Sequence, residues 1–318
     1  MQKKVILWVL LTSVLIAACA PATRSRYREG DNVGQETGMT VNDERRMTEE
    51  ALPKIKKDYP SAQNPDLQRY IANLGMKIVR ANNLEGNPYT YDFEVVDVES
   101  VNAFALPAGK IFVTAPLIAM ASNEAELAGV IGHEIGHVMA RHAAERMYLM
   151  EKNQNKTWLF AAGGGIVGAA AGFGLGKLLC ADGDTACMAK AALIGGALGA
   201  GGGLLVQKYQ FLANSREDEL EADRIGFKIA VAAGYDKDQV GKFFEKLLQT
   251  EKNAQKSGSP VLKSLADAMS THPPSEERVK QMNEMAMNSP TAKKTMITTS
   301  EFNRAKQIAA GMQKRERP

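Results

Sequence analysis

Apolar residues recur at helical spacing in the first third of the chain. Asn64 and Pro65 are typical of a helix N-cap and the residue that follows it. Four apolar residues then recur three or four positions apart: Leu67, Ile71, Leu74 and Ile78. Because this spacing places side chains along one helix face, the pattern predicts an amphipathic helix that ends near Arg80.

A longer helix is predicted after residue 123. Asn123 and Glu126 have the spacing of a capping box. Apolar residues at helical spacing follow: Leu127, Val130, Ile131, Ile135 and Val138. Two further helices are predicted, one over residues 212–233 and one from Asp236 onward. The apolar stripe of the last helix indicates core packing, and it consists of Val240, Phe243, Phe244, Leu247 and Leu248.

Between the first two predicted helices the pattern is that of short strands. Tyr91, Phe93 and Val95 alternate with other residues, and the apolar segment 110–114 follows the turn signal Pro107-Ala108-Gly109. We predict a β-hairpin or a small sheet here. The expected fold class is therefore α+β, and mainly helical.

The amino terminus has the pattern of an export signal. Lys3 and Lys4 precede an uncharged apolar run over residues 5–18, which is too short to span a bilayer comfortably and is typical of a signal peptide. The sequence Ile16-Ala17-Ala18-Cys19 resembles a bacterial lipobox, whose cysteine is acylated and becomes the first residue. The next residue is Ala, whereas an Asp there favours retention in the inner membrane. We expect a palmitate-bearing lipoprotein, anchored to the outer membrane through Cys19 and facing the periplasm; an ordinary signal peptide that contains a Cys is the alternative.

These features divide the chain into segments. Residues 1–18 are the predicted signal peptide, 19–38 the lipidated Cys and a polar tether, 39–285 the folded domain and 286–318 a basic tail. From residue 293 to the end, seven Lys and Arg face two Glu, a net charge of +5. We interpret this stretch as a solvated helix end or a frayed tail.

Composition excludes several classes of protein. The chain is 45% hydrophobic and 24% charged, as globular proteins are, so it is not a disordered, collagen-like or disulfide-scaffold protein. Without Lys3 and Lys4, the 39 basic residues become 37 against 36 acidic ones. This balance argues against nucleic acid as a partner.

Two uncharged runs rich in Gly and Ala, residues 157–176 and 191–207, predict a helical hairpin over 157–207. Cys180 and Cys187 lie between the runs. In the oxidising compartment to which an export signal leads, two cysteines favour one disulfide. Zinc thiolates are the alternative, although no second Cys pair is present to complete such a site.

The candidate chemistry lies in the helix after residue 123. Two of the four histidines of the chain stand in His133-Glu134-Ile135-Gly136-His137. Residues four apart lie on one helix face, so both imidazoles can reach one Zn²⁺. Glu134 lies beside that face, where it can reach a zinc-bound water without binding the metal.

The third ligand decides the class of metalloprotease. A metzincin would need Gly at position 140 and His at position 143, and both are Ala, so this class is excluded. His142 lies nine residues after His133, which on a continuous helix turns it to the opposite side; we interpret it as structural. Downstream, Glu219 and Asp223 are four apart. One of these carboxylates can bind the metal while the other orients a histidine ligand.

Several motifs occur in the order of a known family: Asn102-Ala103-Phe104-Ala105-Leu106-Pro107, Gly109-Lys110-Ile111-Phe112-Val113, the HEIGH motif, Arg141-His142, the segment 219–226, and Thr271-His272-Pro273-Pro274 with Arg278. Together they resemble the zinc metallopeptidase family of the CAAX prenyl protease and HtpX. With the lipobox, the chain is most similar to periplasmic members associated with the outer membrane. The resemblance covers residues 64–285, and Ala108 replaces a frequent Gly.

The resemblance implies a gluzincin-type fold, with a small β-sheet beside the HExxH helix. It also implies one Zn²⁺ per chain, bound by His133, His137 and Glu219. Glu134 would be the catalytic carboxylate and Asp223 the second carboxylate of the ExxxD motif. A strand near residues 102–105 could pair with extended substrate.

We therefore expect a zinc metalloendopeptidase of the cell envelope, whose substrates are unfolded or misassembled envelope proteins. The mechanism would be attack by zinc-activated water with Glu134 as general base. The alternatives are a chaperone-like outer-membrane assembly factor with secondary proteolysis and a structural lipoprotein with a degenerate site. The intact set of His and Glu residues opposes degeneracy.

Two interpretations remain open both for His272 and for the hairpin 157–207. His272 is either a structural loop histidine or a fourth zinc ligand that holds the enzyme inactive at rest. The hairpin 157–207 either inserts into the membrane, since integral members of the family have two transmembrane helices there, or packs on the protein body. We favour packing because the Gly-rich runs contain few Leu or Ile.

Overall fold

The computed structural model describes residues 37–86, 88–146, 148, 215–257, 265, 268 and 271–315. The predicted signal peptide, nearly all of the tether, the Gly/Ala-rich hairpin and the pair Cys180 and Cys187 lie outside the described residues. Within the described part, no helix combines the length and apolar character needed to cross a membrane.

A small mixed sheet lies near the middle of the fold. Its strands are β1 (Asp92–Val96), β2 (Ala103–Ala105) and β3 (Lys110–Thr114), in the spatial order β1-β3-β2. β2 and β3 form the expected hairpin around the turn at residues 107–109, with Phe104 opposite Phe112. β1 pairs with β3 in parallel, which the sequence pattern does not specify.

Helices cover both faces of the sheet. The predicted helix α2 (Pro65–Ala81) is confirmed, and the Asn64 side chain accepts a hydrogen bond from the Leu67 N–H at 2.9 Å. α2 packs on the face that carries Phe93 and Val95. The other face is covered by α1 (Val41–Asp58), a helix that the sequence analysis did not predict.

α1 has a strong local start signal. The Thr40 side chain accepts from the Asp43 N–H, and the Asp43 carboxylate accepts from the Thr40 N–H at 2.9 Å, which is a complete capping box. Ile55 and Tyr59 then pack with Phe104 of β2 in a small second core. Strand residues are therefore buried on both faces, which explains why β1 has a run of buried positions and no strict alternation.

The helix that carries the HEIGH motif is α4 (Glu124–Met139), and it follows the short helix α3 (Ala115–Met120). The Asn123 side chain caps α4 by accepting from the Glu126 N–H at 2.9 Å, as predicted. The Glu126 carboxylate does not return to Asn123 but accepts from the Ser122 N–H at 2.8 Å. α4 is buried along almost its whole length.

α5 (Arg216–Ala232) packs more extensively on α4 than any other helix of the described chain. The next predicted helix is interrupted at Gly241, so it forms α6 (Lys237–Val240) and α7 (Lys242–Ser257). A Cβ atom on Gly241 would lie 2.9 Å from the Cβ of Met282 in α8 (Glu276–Asn288), so the absence of a side chain lets the chain pass close to α8.

The last helix, α9 (Ser300–Arg315), belongs to the main core. Phe302, Ala305 and Ala309 are buried, and α9 packs on α2 and α3. The Lys306 ammonium donates to the Ala121 carbonyl at 2.6 Å. Part of the segment interpreted as a basic tail is thus an integral helix, in which Glu301 and Arg304 are exposed.

Candidate active site

The two histidines of the HEIGH motif meet at one point of the buried face of α4. His133 and His137 are 1% and 8% exposed, and their Nε2 atoms lie 3.0 Å apart. One helical turn separates the two residues, as the spacing predicted.

α5 brings Glu219 to the same point. Its Oε2 atom lies 3.3 Å from His133 Nε2, and its Oε1 atom lies 3.3 Å from His137 Nε2. The three residues that the sequence analysis named as ligands therefore converge, although 82 residues separate His137 from Glu219 along the chain.

His272 joins this cluster from the loop before α8. Its Nδ1 atom lies 3.0 Å from Glu219 Oε1 and 3.3 Å from His133 Nε2. One potential ligand atom from each of His133, His137, Glu219 and His272 lies within 4.8 Å of the others, and the group could hold a metal ion.

Asp223 lies behind His133 and not in the cluster. Its Oδ1 atom is 2.8 Å from His133 Nδ1, the nitrogen that faces away from Glu219. The two carboxylates of α5, one turn apart, therefore differ in position: Glu219 points into the cluster, and Asp223 contacts His133 from behind. This is the carboxylate–histidine arrangement found behind protein metal sites.

Arg278 of α8 forms ion pairs with both carboxylates. Its guanidinium donates two hydrogen bonds of 2.7 Å to Asp223, and its Nη1 atom lies 2.8 Å from Glu219 Oε2. The side chain is 2% exposed. The sequence places Arg278 in a motif but indicates no role for it, because its spacing from the α5 carboxylates carries no signal.

The prediction that His142 faces away is wrong. α4 ends at Met139, and Arg141 has the left-handed backbone conformation with φ 52°, which interrupts the helix. His142 therefore returns to the site, and its Nδ1 atom lies 2.8 Å from His137 Nδ1. The error arose because the helix was assumed to continue through residue 142.

The electrostatics of the cluster follow from burial and charge. Burial lowers the pKa of His133, but the Glu219 and Asp223 carboxylates outweigh it and raise that pKa to about 9. For His137, burial and the neighbouring His133 hold the pKa well below its usual value, which favours the neutral imidazole that a metal ion requires. Burial opposes the charge on Asp223, but Arg278 lowers the pKa of its carboxyl below the usual value.

Glu134 stands at the border between the cluster and a cleft. It is 2% exposed, and its Oε1 atom lies 3.5 Å from His272 Nε2. The cleft is lined by β2 and the following turn, by α1, by the end of α4 and by the residues after it, including Ile55, Phe104, Ala105, Leu106, Val138 and Arg141.

The residues fit a catalytic zinc ion. Two imidazole nitrogens and one carboxylate are the ligand set of one class of zinc peptidases, and they leave a position for water or substrate. The three ligand side chains are buried, and a carboxylate lies behind His133, as in other protein metal sites.

Comparison with known proteins places this geometry in a family. Residues 61–286 match the model of peptidase family M48. The chain is 28% identical to the β-barrel assembly-enhancing protease of Escherichia coli (strain K12) over 98% of its own length and 57% of the length of that relative. It is 26% identical to the mitochondrial metalloendopeptidase OMA1 of Schizosaccharomyces pombe over 77% of this chain and 62% of that one.

A second mitochondrial metalloendopeptidase OMA1, that of Arabidopsis thaliana, is 32% identical over 63% of this chain and 32% of its own length. The chain spans little more than half the length of the Escherichia coli relative. The match to the family model covers most of the chain, from before α2 to the end of α8. The chain belongs to peptidase family M48.

Proposed function

We propose that this protein is a zinc-dependent endopeptidase of gluzincin type. The observation that carries the proposal is the convergence of His133, His137 and Glu219 beside the buried carboxylate of Glu134. A bound zinc ion would acidify a water molecule and polarise the carbonyl of a peptide bond. Glu134 would take the proton of the attacking water and pass it to the amine that leaves, so no covalent intermediate is needed.

Substrate would lie along β2. This strand forms the edge of the sheet within the described residues, and it packs against α4 and lines the cleft. An extended peptide that adds to this edge would form main-chain hydrogen bonds, which suit substrates of varied sequence. Unfolded chains offer such extended segments, which supports unfolded or misassembled proteins as the substrate class.

His272 would be a fourth ligand in a resting state. Its contacts with Glu219 and His133 support this interpretation over a purely structural one, and its Nε2 atom also approaches Glu134. A closed tetrahedral site cannot activate water. Movement of the loop that carries His272 would therefore be required before hydrolysis.

We further propose that the protein acts in the cell envelope, anchored to the outer membrane by lipid on Cys19. The signal-peptide pattern and lipobox support the location. The name of the Escherichia coli relative, a β-barrel assembly-enhancing protease, supports a role in assembly or quality control of outer-membrane proteins. The same name favours a second candidate, a chaperone-like assembly factor, whose assembly function would survive Glu134→Gln.

The test compares zinc content and hydrolysis in matched variants. Glu134→Gln should keep one zinc ion per chain but lose hydrolysis of casein by a factor on the order of 10³, because only the general base is removed. Glu219→Ala should lose both zinc and activity. Elemental analysis and casein cleavage, with and without a chelator, measure the two quantities.

Glu124→Gln is the matched control. Glu124 is also a buried carboxylate of α4, but its partners are the hydroxyls of Tyr70, Tyr235 and Thr299 and not the cluster. It should keep zinc and activity. All variants should also be compared in the His272→Ala background, where the site is open. Full zinc occupancy and full activity in Glu219→Ala would contradict the proposed ligand set.

A further inference from the structure

A chain of buried polar groups lies behind His137. The Nδ1 atom of His137 lies 2.8 Å from His142 Nδ1, and His142 Nε2 lies 3.3 Å from Glu221 Oε2. His142 is 1% exposed and Glu221 is fully buried. Glu221 is on α5, the helix that also supplies Glu219, so the chain of contacts connects α4 back to α5.

Proton positions in this chain are determined by chemistry. A histidine that binds a metal through Nε2 carries its proton on Nδ1. His137 must then donate to His142 Nδ1, which can accept only if it carries no proton. A neutral His142 therefore has its proton on Nε2, the nitrogen that faces the Glu221 carboxylate.

We propose that His142 and Glu221 are positioning residues, which hold His137 in the ring orientation and tautomer that zinc binding requires. The inference rests on the proposed function. His133 has a carboxylate directly behind it, whereas His137 reaches its carboxylate through a second imidazole. The acceptor behind a ligand also raises its basicity, and this strengthens metal binding.

The backbone turn at Arg141 is what brings His142 into place. The left-handed conformation of Arg141 is held by its side chain, whose Nε atom donates to Glu44 Oε1 at 2.7 Å. The Tyr89 hydroxyl donates to the other Glu44 oxygen at 2.6 Å. Arg141 also donates to the Met39 carbonyl at 2.7 Å. A partly buried ion pair between α1 and the residues after α4 thus supports the turn.

The first test measures zinc affinity. His142→Ala and Glu221→Gln should each weaken zinc binding by about 10- to 100-fold, the usual effect of removing a partner behind a ligand. His142→Gln should recover most of this loss, because its amide oxygen can accept from His137 Nδ1. The measurement is competition for zinc with a chromogenic chelator, together with thermal unfolding of the zinc-free protein.

Glu124→Gln again serves as the control, since it makes the same chemical change in a buried carboxylate outside the chain of contacts. It should leave zinc affinity unchanged. If the wild-type protein binds one zinc ion and the His142 and Glu221 variants bind zinc with unaltered affinity, this inference is overturned and the proposed function is not. A wild-type protein that holds no zinc would overturn the proposed function, and this inference with it.

The second test uses the wild-type protein, so it does not depend on whether a variant folds. In the ¹⁵N-labelled zinc-loaded protein, long-range ¹H–¹⁵N correlation spectra distinguish the two neutral tautomers of each histidine. With only four histidines in the chain, the signals can be assigned. We expect His137 protonated on Nδ1 and His142 protonated on Nε2. A proton on His142 Nδ1 would overturn the inference, because His142 could then not accept from His137.

Discussion

Single residues decide whether the cluster can act as a catalytic site. His272 is 11% exposed at its side chain and contacts a carboxylate of α5, a histidine of α4 and the carboxylate of Glu134. Pro273 and Pro274 restrict the backbone that follows it. The loop therefore delivers one imidazole to the cluster, and under the proposed function its displacement would admit water and substrate.

His272→Ala should raise basal proteolysis with zinc retained. If the closed form dominates at rest, activity is reduced to the fraction of open molecules. Removal of the His272 side chain should then increase casein cleavage on the order of tenfold or more. Cleavage rate, zinc content and thermal unfolding are measured on the same samples. The double variant with Glu134→Gln should be inactive. Equal or lower activity at equal zinc occupancy and stability would return His272 to a structural role.

At the scale of elements, the site depends on the close approach of α4 and α5. A Cβ atom on Gly132 would lie 2.7 Å from the Gly226 carbonyl oxygen, and one on Gly226 would lie 2.5 Å from the His133 nitrogen. The two glycines thus let the backbones touch beside the first histidine of the motif. Because Glu219 and Asp223 are on the same helix as Gly226, this distance also sets where the carboxylates stand.

Gly226→Ala should therefore impair both stability and metal binding. The added methyl group meets backbone atoms that cannot move independently, so the free energy of unfolding should fall by about 1–3 kcal/mol. Zinc affinity should fall as well, because α5 is displaced. Gly311→Ala on α9 is the matched control: its Cβ meets nothing within 4 Å, and it should be neutral or stabilising by about 0.5–1 kcal/mol.

Urea unfolding and chelator competition check both variants. Wild-type stability and zinc affinity in Gly226→Ala would show that α5 can shift without cost, and the close contact would then have no role in building the site.

At the scale of the whole molecule, both ends of the described chain are tied to α4 or to the residues that follow it. α1 is joined to the end of α4 by the pair Glu44 and Arg141. The segment before α9 is joined to the start of α4, where the Ala125 N–H donates to the Ile297 carbonyl at 3.0 Å. The proposed tether precedes α1 directly, so a lipid on Cys19 would hold the body close to the membrane surface.

Cys19→Ala should leave a precursor that is neither acylated nor cleaved, because lipidation precedes cleavage at a lipobox. Incorporation of a radioactive fatty acid and the electrophoretic size of the product measure the two steps. Cys180→Ala is the control and should remain labelled. Label that persists in Cys19→Ala would contradict the proposed anchor.

Local interactions explain which elements could be predicted. Helix α2, helix α4 and the N-caps Asn64 and Asn123 follow from hydrogen bonds and spacings within a few residues. The same periodicity placed His133 and His137 on one face. α1 was missed although Thr40 and Asp43 form a capping box, since its many charged residues and Pro53 obscured the apolar face.

The sequence by itself determined helices α2 and α4 and the position of His133 and His137 on one helix face, because each depends on residues close together in the chain. Glu219, 82 positions after His137, was named as a ligand through the family resemblance. Only the tertiary structure decided the parallel pairing of β1 with β3, the place of Arg278 between two carboxylates, and the return of His142 to His137. These arrangements depend on packing between distant segments and, for His142, on one backbone angle at Arg141. Periodicity carries no information about either, since it describes a helix but not where the helix stops or what it meets.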